Sequence, residues 1–158
     1  MSPIEEMMLE QFAAWSAEDS EAKNDHLARS DRVRAMLAAR GFDLDAPHLA
    51  VDISWHCYQE APVGPYRLDF ALVGDSGLVC VECDGHDYHE RTAAQAEHDR
   101  KRDRWLQRRG WHVMRFTGRE IVRSAGACLD EIRDLLSSLD LIFVDAWEHE
   151  KRIREGRE

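Results

Sequence analysis

Residues 67–84 read RLDFALVGDSGLVCVECD. Two apolar runs flank the turn-forming tetrad Gly74-Asp75-Ser76-Gly77, so the stretch predicts a β-hairpin. With the turn centred between Asp75 and Ser76, cross-strand partners have numbers summing to 151, and counting fixes the register. Leu72 then faces Val79, Phe70 faces Val81 and Leu68 faces Cys83, an apolar face that belongs in the core. The other face pairs Ala71 with Cys80, Asp69 with Glu82 and Arg67 with Asp84. Directly opposed side chains stand about 4.5–5.5 Å apart at Cβ, where like charges destabilise a sheet. A divalent cation offsets that repulsion, since Mg²⁺ is typically held by one or two carboxylates while waters and phosphate oxygens complete its shell. The plain alternative is a slipped register that leaves both acids solvated.

Outward from the hairpin, period-two patterning with Pro62, Gly64 and Pro65 at a turn extends from Leu49 to Val81 and fits three antiparallel strands. Three capping boxes mark helix starts: Ser2-Pro3-Ile4-Glu5, Thr92-Ala-Ala-Gln95 and Thr117-Gly-Arg-Glu120. The first helix should run through Trp15. A second, from about His26 to Arg40, is suggested by Leu27, Val33, Met36 and Leu37, with Gly41 as its C-terminal cap. The Thr92 helix should end at Gly110, before a short strand over Trp111–Phe116. The last helix carries Ile121, Val122, Leu129, Ile132, Leu135 and Leu136 at core-facing intervals. Leu141 to Val144 is compatible with a further short strand, and Glu148 to Glu158 is charged enough to be a solvated helix or a frayed tail. The element order is α-β-β-β-α-β-α. One domain over 1–145, with a core at about 49–138 and a charged tail or helix at 146–158, suits a chain of 158 residues.

The composition, 44% hydrophobic and 33% charged, is that of a globular chain. No apolar run approaches a membrane span, and the N-terminus lacks the n- and h-regions of a signal peptide, so a cytoplasmic location is expected. Four cysteines in such a chain read as reduced thiols. A net charge of −10 opposes binding to a phosphate backbone, yet from Arg91 to Arg123 ten Lys or Arg face four Asp or Glu, a local balance of +6. Within that stretch Arg100, Arg104 and Arg108, spaced i, i+4, i+8, share one helix face, with Lys101 beside them. Phosphates are natural partners for the stripe; a solvated face neutralised by Asp99 and Asp103 is the alternative.

The segments RLDFAL, VECDGHDYHE and DRKRDRWLQRRGWHVMRFT, in this order and spacing, resemble the PD-(D/E)XK, or restriction-endonuclease-like, nuclease superfamily. Within it they are most similar to the branch related to very-short-patch-repair endonucleases. The resemblance runs from about Gln59 to Arg119: Asp69-Phe70, Glu82-Cys83-Asp84-Gly85 with His89, the Asp99-Arg100-Lys101-Arg102-Asp103 helix, and Gly110 through Phe116. It implies an α/β fold with an α-β-β-β-α-β core, a mixed central sheet and flanking helices. It also implies a Mg²⁺- or Mn²⁺-dependent endonuclease acting on DNA, with Asp69, Glu82 and the backbone carbonyl of Cys83 as metal ligands. The superfamily's usual Lys, two residues after the Glu, is replaced here by Asp84. Asp84 can bind metal, directly or through water, or pair with Arg67. His89 is then a candidate to orient water or protonate the leaving oxygen, its alternative being a surface residue at a loop end. Glu5 extends the resemblance weakly and is already accounted for by its capping box, while Gln59 is a candidate for contacting the site.

Cys80-x₂-Cys83-x₂-His86-x₂-His89 superficially suggests zinc. Residues three apart on a strand point to opposite faces, so Cys80 and Cys83 cannot reach one ion while the strand is intact. Two further classes compete with the enzyme: a nuclease-fold nucleic-acid-binding or protein-interaction module that has lost catalysis, and a structural or inhibitory partner protein that uses its acidic surface.

Overall fold

A computed structural model describes residues 1–18, 31–39, 41–52, 55–85 and 92–157. Ser2 caps α1 (Pro3–Ala17) through the complete capping box with Glu5, and Pro3 stands where a missing N–H costs nothing. Helix α2 is described over Asp31–Ala38 and closes at Gly41, whose φ of +74° suits glycine; the expected beginning of this helix at 26–30 and its end at Arg40 lie outside the described residues. Four strands follow: β1 (His48–Asp52), β2 (Trp55–Val63), β3 (Tyr66–Gly74) and β4 (Gly77–Asp84). Then come α3 (Ala93–Gln107), β5 (Trp111–Thr117) and α4 (Gly118–Arg154), both helices opening on the expected capping boxes. None of the helices described is long and apolar enough to cross a membrane.

The sheet order is β1-β2-β3-β4-β5, antiparallel up to β4 and parallel between β4 and β5. Two sequence expectations need correction. The Leu49–Val81 stretch holds more than three strands, because residues 48–52 form an edge strand of their own that pairs His48 with Tyr58 through Ala50 with His56. Residues 141–144 are not a strand but part of α4, whose single break is at Ser124 (φ −164°, ψ 95°). Apolar content in that segment mimics a strand, but the helix entering it is never terminated by Gly or Pro.

Both faces of the sheet are covered. On one, Met8, Phe12 and Trp15 of α1 and Ile121, Cys128, Ile132 and Leu136 of α4 pack on Phe70, Leu72, Val79 and Val81. Phe12 meets Phe70 at 5.0 Å between ring centroids, tilted by 53°. On the other, Leu37, Phe42, Leu106 and Trp111 pack on Tyr58, Ala71, Val73, Leu78 and Cys80. Fully burying such a side chain is worth roughly 1.5–3 kcal/mol, so this two-sided core fixes the hairpin between its helices.

The hairpin register sums to 151, as counted, from Gly74↔Gly77 to Phe70↔Val81, where the pairing ends. Leu68 departs from expectation: it packs with Ala61, Val63, Ala71 and Val73, not with Phe70 and Leu72. The alternation resets at Asp69. On the neighbouring strand, pairing passes from Gln59↔Phe70 to Ala61↔Leu68 around Glu60, which takes φ +47°. Both pairs sum to 129, so no residue is inserted, and the change of face falls on Glu60 and Asp69 together.

The connection Gly64-Pro65 between β2 and β3 lies against α3. Gly64 has φ +56°, and a Cβ there would sit 2.7 Å from Cζ2 of Trp105 and nearer still to Cη2. Gly64→Ala is therefore expected to destabilise the protein by about 1–3 kcal/mol through left-handed strain and overpacking. Urea denaturation measures it, and an unchanged midpoint would mean that α3 is not held by this turn.

Candidate active site

Where the β3–β4 ladder ends, the carboxylate of Asp69 takes over from the backbone: its Oδ2 accepts the Cys83 N–H at 2.8 Å. Glu82, one step beyond Val81, is only 3% exposed, the one carboxylate in the core among the described residues. Its Oε1 accepts from the Cys80 thiol at 3.2 Å and from Nη2 of Arg102, which reaches in from α3. The same Nη2 donates to the Arg67 carbonyl at 2.8 Å. The Arg102 guanidinium stands 5.7 Å from the Tyr66 ring centre, and its buried Nε finds no hydrogen-bond partner among the described residues.

A second cation closes the far side. Parallel pairing sets Arg115 of β5 beside Glu82 of β4. Arg115 grips Asp103 of α3 with Nε and Nη2, at 3.1 and 2.6 Å, and reaches Asp84 with Nη1 at 3.3 Å. Of the partners considered for Asp84, Arg115 was not one: its approach depends on the β4–β5 register, which the hairpin count does not reach. The two arginines thus tie α3 and β5 to the carboxylate end of the hairpin.

The carboxylates bear the electrostatic cost. Burial pushes Glu82 up from 4.5 to about 7, and the neighbouring Asp69 adds to this, while Arg102 opposes it. Asp69 is also raised, first by burial and further by Glu5; the Cys83 N–H and a hydrogen bond with Glu82 pull the other way. Asp69 and Glu82 therefore behave as a pair that favours holding a proton between them.

Such a pair can supply two ligands to a divalent cation, with the Cys83 carbonyl, waters or phosphate oxygens for the remaining positions. Among the described residues no cluster of three or more His, Cys, Asp or Glu side chains is placed to hold a metal. The donor set, two hard oxygens, suits Mg²⁺ or Mn²⁺. Cys80 and Cys83 belong to opposite faces of the sheet, Cys80 with Leu106 and Cys83 with Phe12, and burial raises both thiols above their ordinary range. A thiol so held is a poor source of the thiolate that zinc requires.

Of the other sequence candidates, Glu5 sits in its capping box, Oε2 accepting the Ser2 N–H at 2.9 Å, and is near enough to raise Asp69. Gln59 pairs with Phe70 next to Asp69, and its amide donates to the Met1 thioether. Arg100, Lys101, Arg104 and Arg108 are all exposed on α3, on the side away from inward-turned Arg102. His89 lies outside the described residues. Sequence reasoning missed Arg102 and Arg115. For Arg102 a signal existed: it falls off the 100-104-108 stripe, which leaves it facing the sheet.

The Glu82 shift sets a pH dependence in metal-free protein. A carboxyl raised in the folded state binds more protons than its unfolded counterpart, so its contribution to stability falls as pH rises from 4.5 to about 7 and is flat above. The full span is on the order of 3 kcal/mol. Denaturation in EDTA across this range should show the decline in the wild type and a flatter profile for Glu82→Gln; parallel profiles would place the titration elsewhere.

Comparison with known proteins follows the same residues. The restriction-endonuclease-like family REase_MTES_1575 matches residues 42–136, a span that holds Asp69, Glu82, Asp84, Arg102 and Arg115. The chain is also similar to uncharacterized protein YcjD of Escherichia coli (strain K12), 39% identical over 74 residues, which are 47% of this chain and 58% of that protein. The chain thus spans little more than half the length of this relative. A mixed five-stranded sheet between helices, with buried Glu82 beside half-buried Asp69, agrees with the family match, and the chain belongs to the restriction-endonuclease-like family.

Proposed function

We propose that the chain is a Mg²⁺- or Mn²⁺-dependent endonuclease that hydrolyses DNA phosphodiester bonds. The observation that carries this reading is Glu82, buried beside Asp69 at the end of a hairpin ladder in a restriction-endonuclease-like fold. Two acids held at that cost are poorly explained by stability alone. Asp69 and Glu82 would hold the cation with the Cys83 carbonyl. When bound, the cation supplies Lewis-acid stabilisation of the scissile phosphate and a lowered pKa for attacking water.

The remaining residues of the chain have roles consistent with their positions. Arg102, whose Nε has no hydrogen-bond partner among the described residues, can bring to the phosphate the positive charge that the superfamily's Lys carries elsewhere. Arg115 fixes Asp84 and Asp103, so Asp84 serves to orient the site, and His89 is assigned to water orientation or leaving-group protonation. Arg100, Lys101, Arg104 and Arg108, exposed on α3, are assigned to DNA phosphates; each contact releases counterions and makes binding salt-dependent.

A nuclease-fold binding module without catalysis is the second reading. It is favoured by the ion pair between Arg102 and Glu82, which already neutralises the acid a metal would need. Nicking of supercoiled plasmid with Mg²⁺ or Mn²⁺ separates the two. Wild type should nick only with metal, and Asp69→Ala or Glu82→Ala should lose at least about a hundredfold, since that corresponds to roughly 3 kcal/mol of transition-state stabilisation. Wild type inert across metals and substrates would support the binding module, whereas cleavage surviving in either variant would move the site away from this pair.

A further inference from the structure

The two arginines at the carboxylate end of the hairpin are held in different ways. Arg115 commits its whole guanidinium: Nε and Nη2 grip Asp103 at 3.1 and 2.6 Å, and Nη1 reaches Asp84 at 3.3 Å. A cation forked onto two carboxylates is a fixed part of the frame. Arg102 instead meets Glu82 end-on through the single nitrogen Nη2, which also donates to the Arg67 carbonyl at 2.8 Å. Its buried Nε finds no hydrogen-bond partner among the described residues. A buried ion pair offsets its desolvation only when the remaining donors are also satisfied, so this contact is a poor permanent one.

The same guanidinium spans two environments. Inward lies Glu82, whose side chain is 5% exposed; outward, the Arg67 carbonyl takes part in an exposed hydrogen bond, and the Tyr66 ring centre is 5.7 Å away. With Arg102 in place the Glu82 carboxylate has no open approach, and its Oε1 already accepts from both Arg102 and the Cys80 thiol. A second positive charge brought to that carboxylate would repel the guanidinium in weakly screened surroundings. Withdrawal toward the rim loses Arg102 one hydrogen bond and leaves it the Arg67 carbonyl and a cation–π contact with Tyr66.

We infer that Arg102 is a displaceable counter-cation: it neutralises Glu82 in the metal-free protein, leaves that carboxylate when a divalent cation binds, and is then held at the Arg67 and Tyr66 rim, where it can meet a phosphodiester. The inference rests on the metal site of the proposed function. It makes the ion pair between Arg102 and Glu82 a resting state of that site and not a sign of lost catalysis. Guanidinium and divalent cation compete for one carboxylate, so removing the first must strengthen binding of the second. An arginine that merely supports the site predicts the opposite sign.

Calorimetric titration of Mn²⁺ into the full chain at about pH 8.5, where protons compete least, reads that sign. Arg102→Gln should bind Mn²⁺ about tenfold more tightly than wild type, a coupling of the usual size. Arg102→Lys, which keeps the charge, should stay near wild type, and circular dichroism checks the fold of both. The wild type gives a second readout that needs neither variant to fold. The Nε–H of Arg102, buried in the metal-free protein, should exchange with water faster by nuclear magnetic resonance once Mg²⁺ is bound. Equal or weaker Mn²⁺ binding by folded Arg102→Gln, or an Nε–H equally protected with Mg²⁺ bound, would overturn the displacement and leave the metal site standing. Wild type and both variants that bind neither metal would overturn the displacement together with the site it rests on.

Discussion

Like charges brought together out of water repel more strongly than in it, and this protein places Glu82 and Asp69 in that situation where two strands stop pairing. Much of the local architecture answers that repulsion. The Cys83 N–H, freed by the end of the ladder, donates to Asp69; the Cys80 thiol and the Arg102 guanidinium serve Glu82; Arg115 supplies a second cation one strand away. The left-handed backbone at Glu60 and the change of face at Leu68 belong to the same place, one on each of two neighbouring strands. A carboxylate buried against a half-buried one is weak evidence for stability and better evidence for function.

Helix α3 presents two chemistries from one short sequence. Arg100, Arg104 and Arg108 follow a helical period and stay in water, whereas Arg102 and Asp103 turn to the sheet and meet Glu82 and Arg115. On the proposed function, the exposed stripe would concentrate phosphate next to a site whose own carboxylates repel it, which would reconcile an acidic chain with an anionic substrate. The position of the helix therefore matters to both, and Gly64 under Trp105 is one of the contacts that sets it.

What the sequence disclosed was largely local. Gly74-Asp75-Ser76-Gly77 sets the hairpin register as counted as far as Phe70 and Val81, short of the expected Asp69–Glu82, Leu68–Cys83 and Arg67–Asp84 pairings, and the capping boxes at Ser2, Thr92 and Thr117 are all formed. These features depend on a few neighbouring residues, so a single chain suffices to read them. Arg115 was missed because its approach to Glu82 depends on a parallel register set across a crossover, where no turn counts the residues. The edge strand at 48–52 was merged with its neighbour because the pattern changes little between them, and residues 141–144 looked like a strand because an apolar cluster with no sheet to join has no period of its own. Leu68 shows the same limit: alternation predicts a face only while the strand remains regular.

The Asp69–Glu82 pair is proposed as a divalent-cation site that holds a proton when empty. Calorimetric titration of Mn²⁺ into EDTA-treated protein, repeated in buffers of different ionisation enthalpy, tests it directly, because a cation must displace whatever proton the pair retains. With Glu82 at about 7, binding near pH 7 should release a substantial fraction of one proton per site, the release should fade at pH 8.5, and Glu82→Gln should bind far more weakly. Absence of binding heat, or binding whose affinity and proton release are unchanged in Glu82→Gln, would contradict the account.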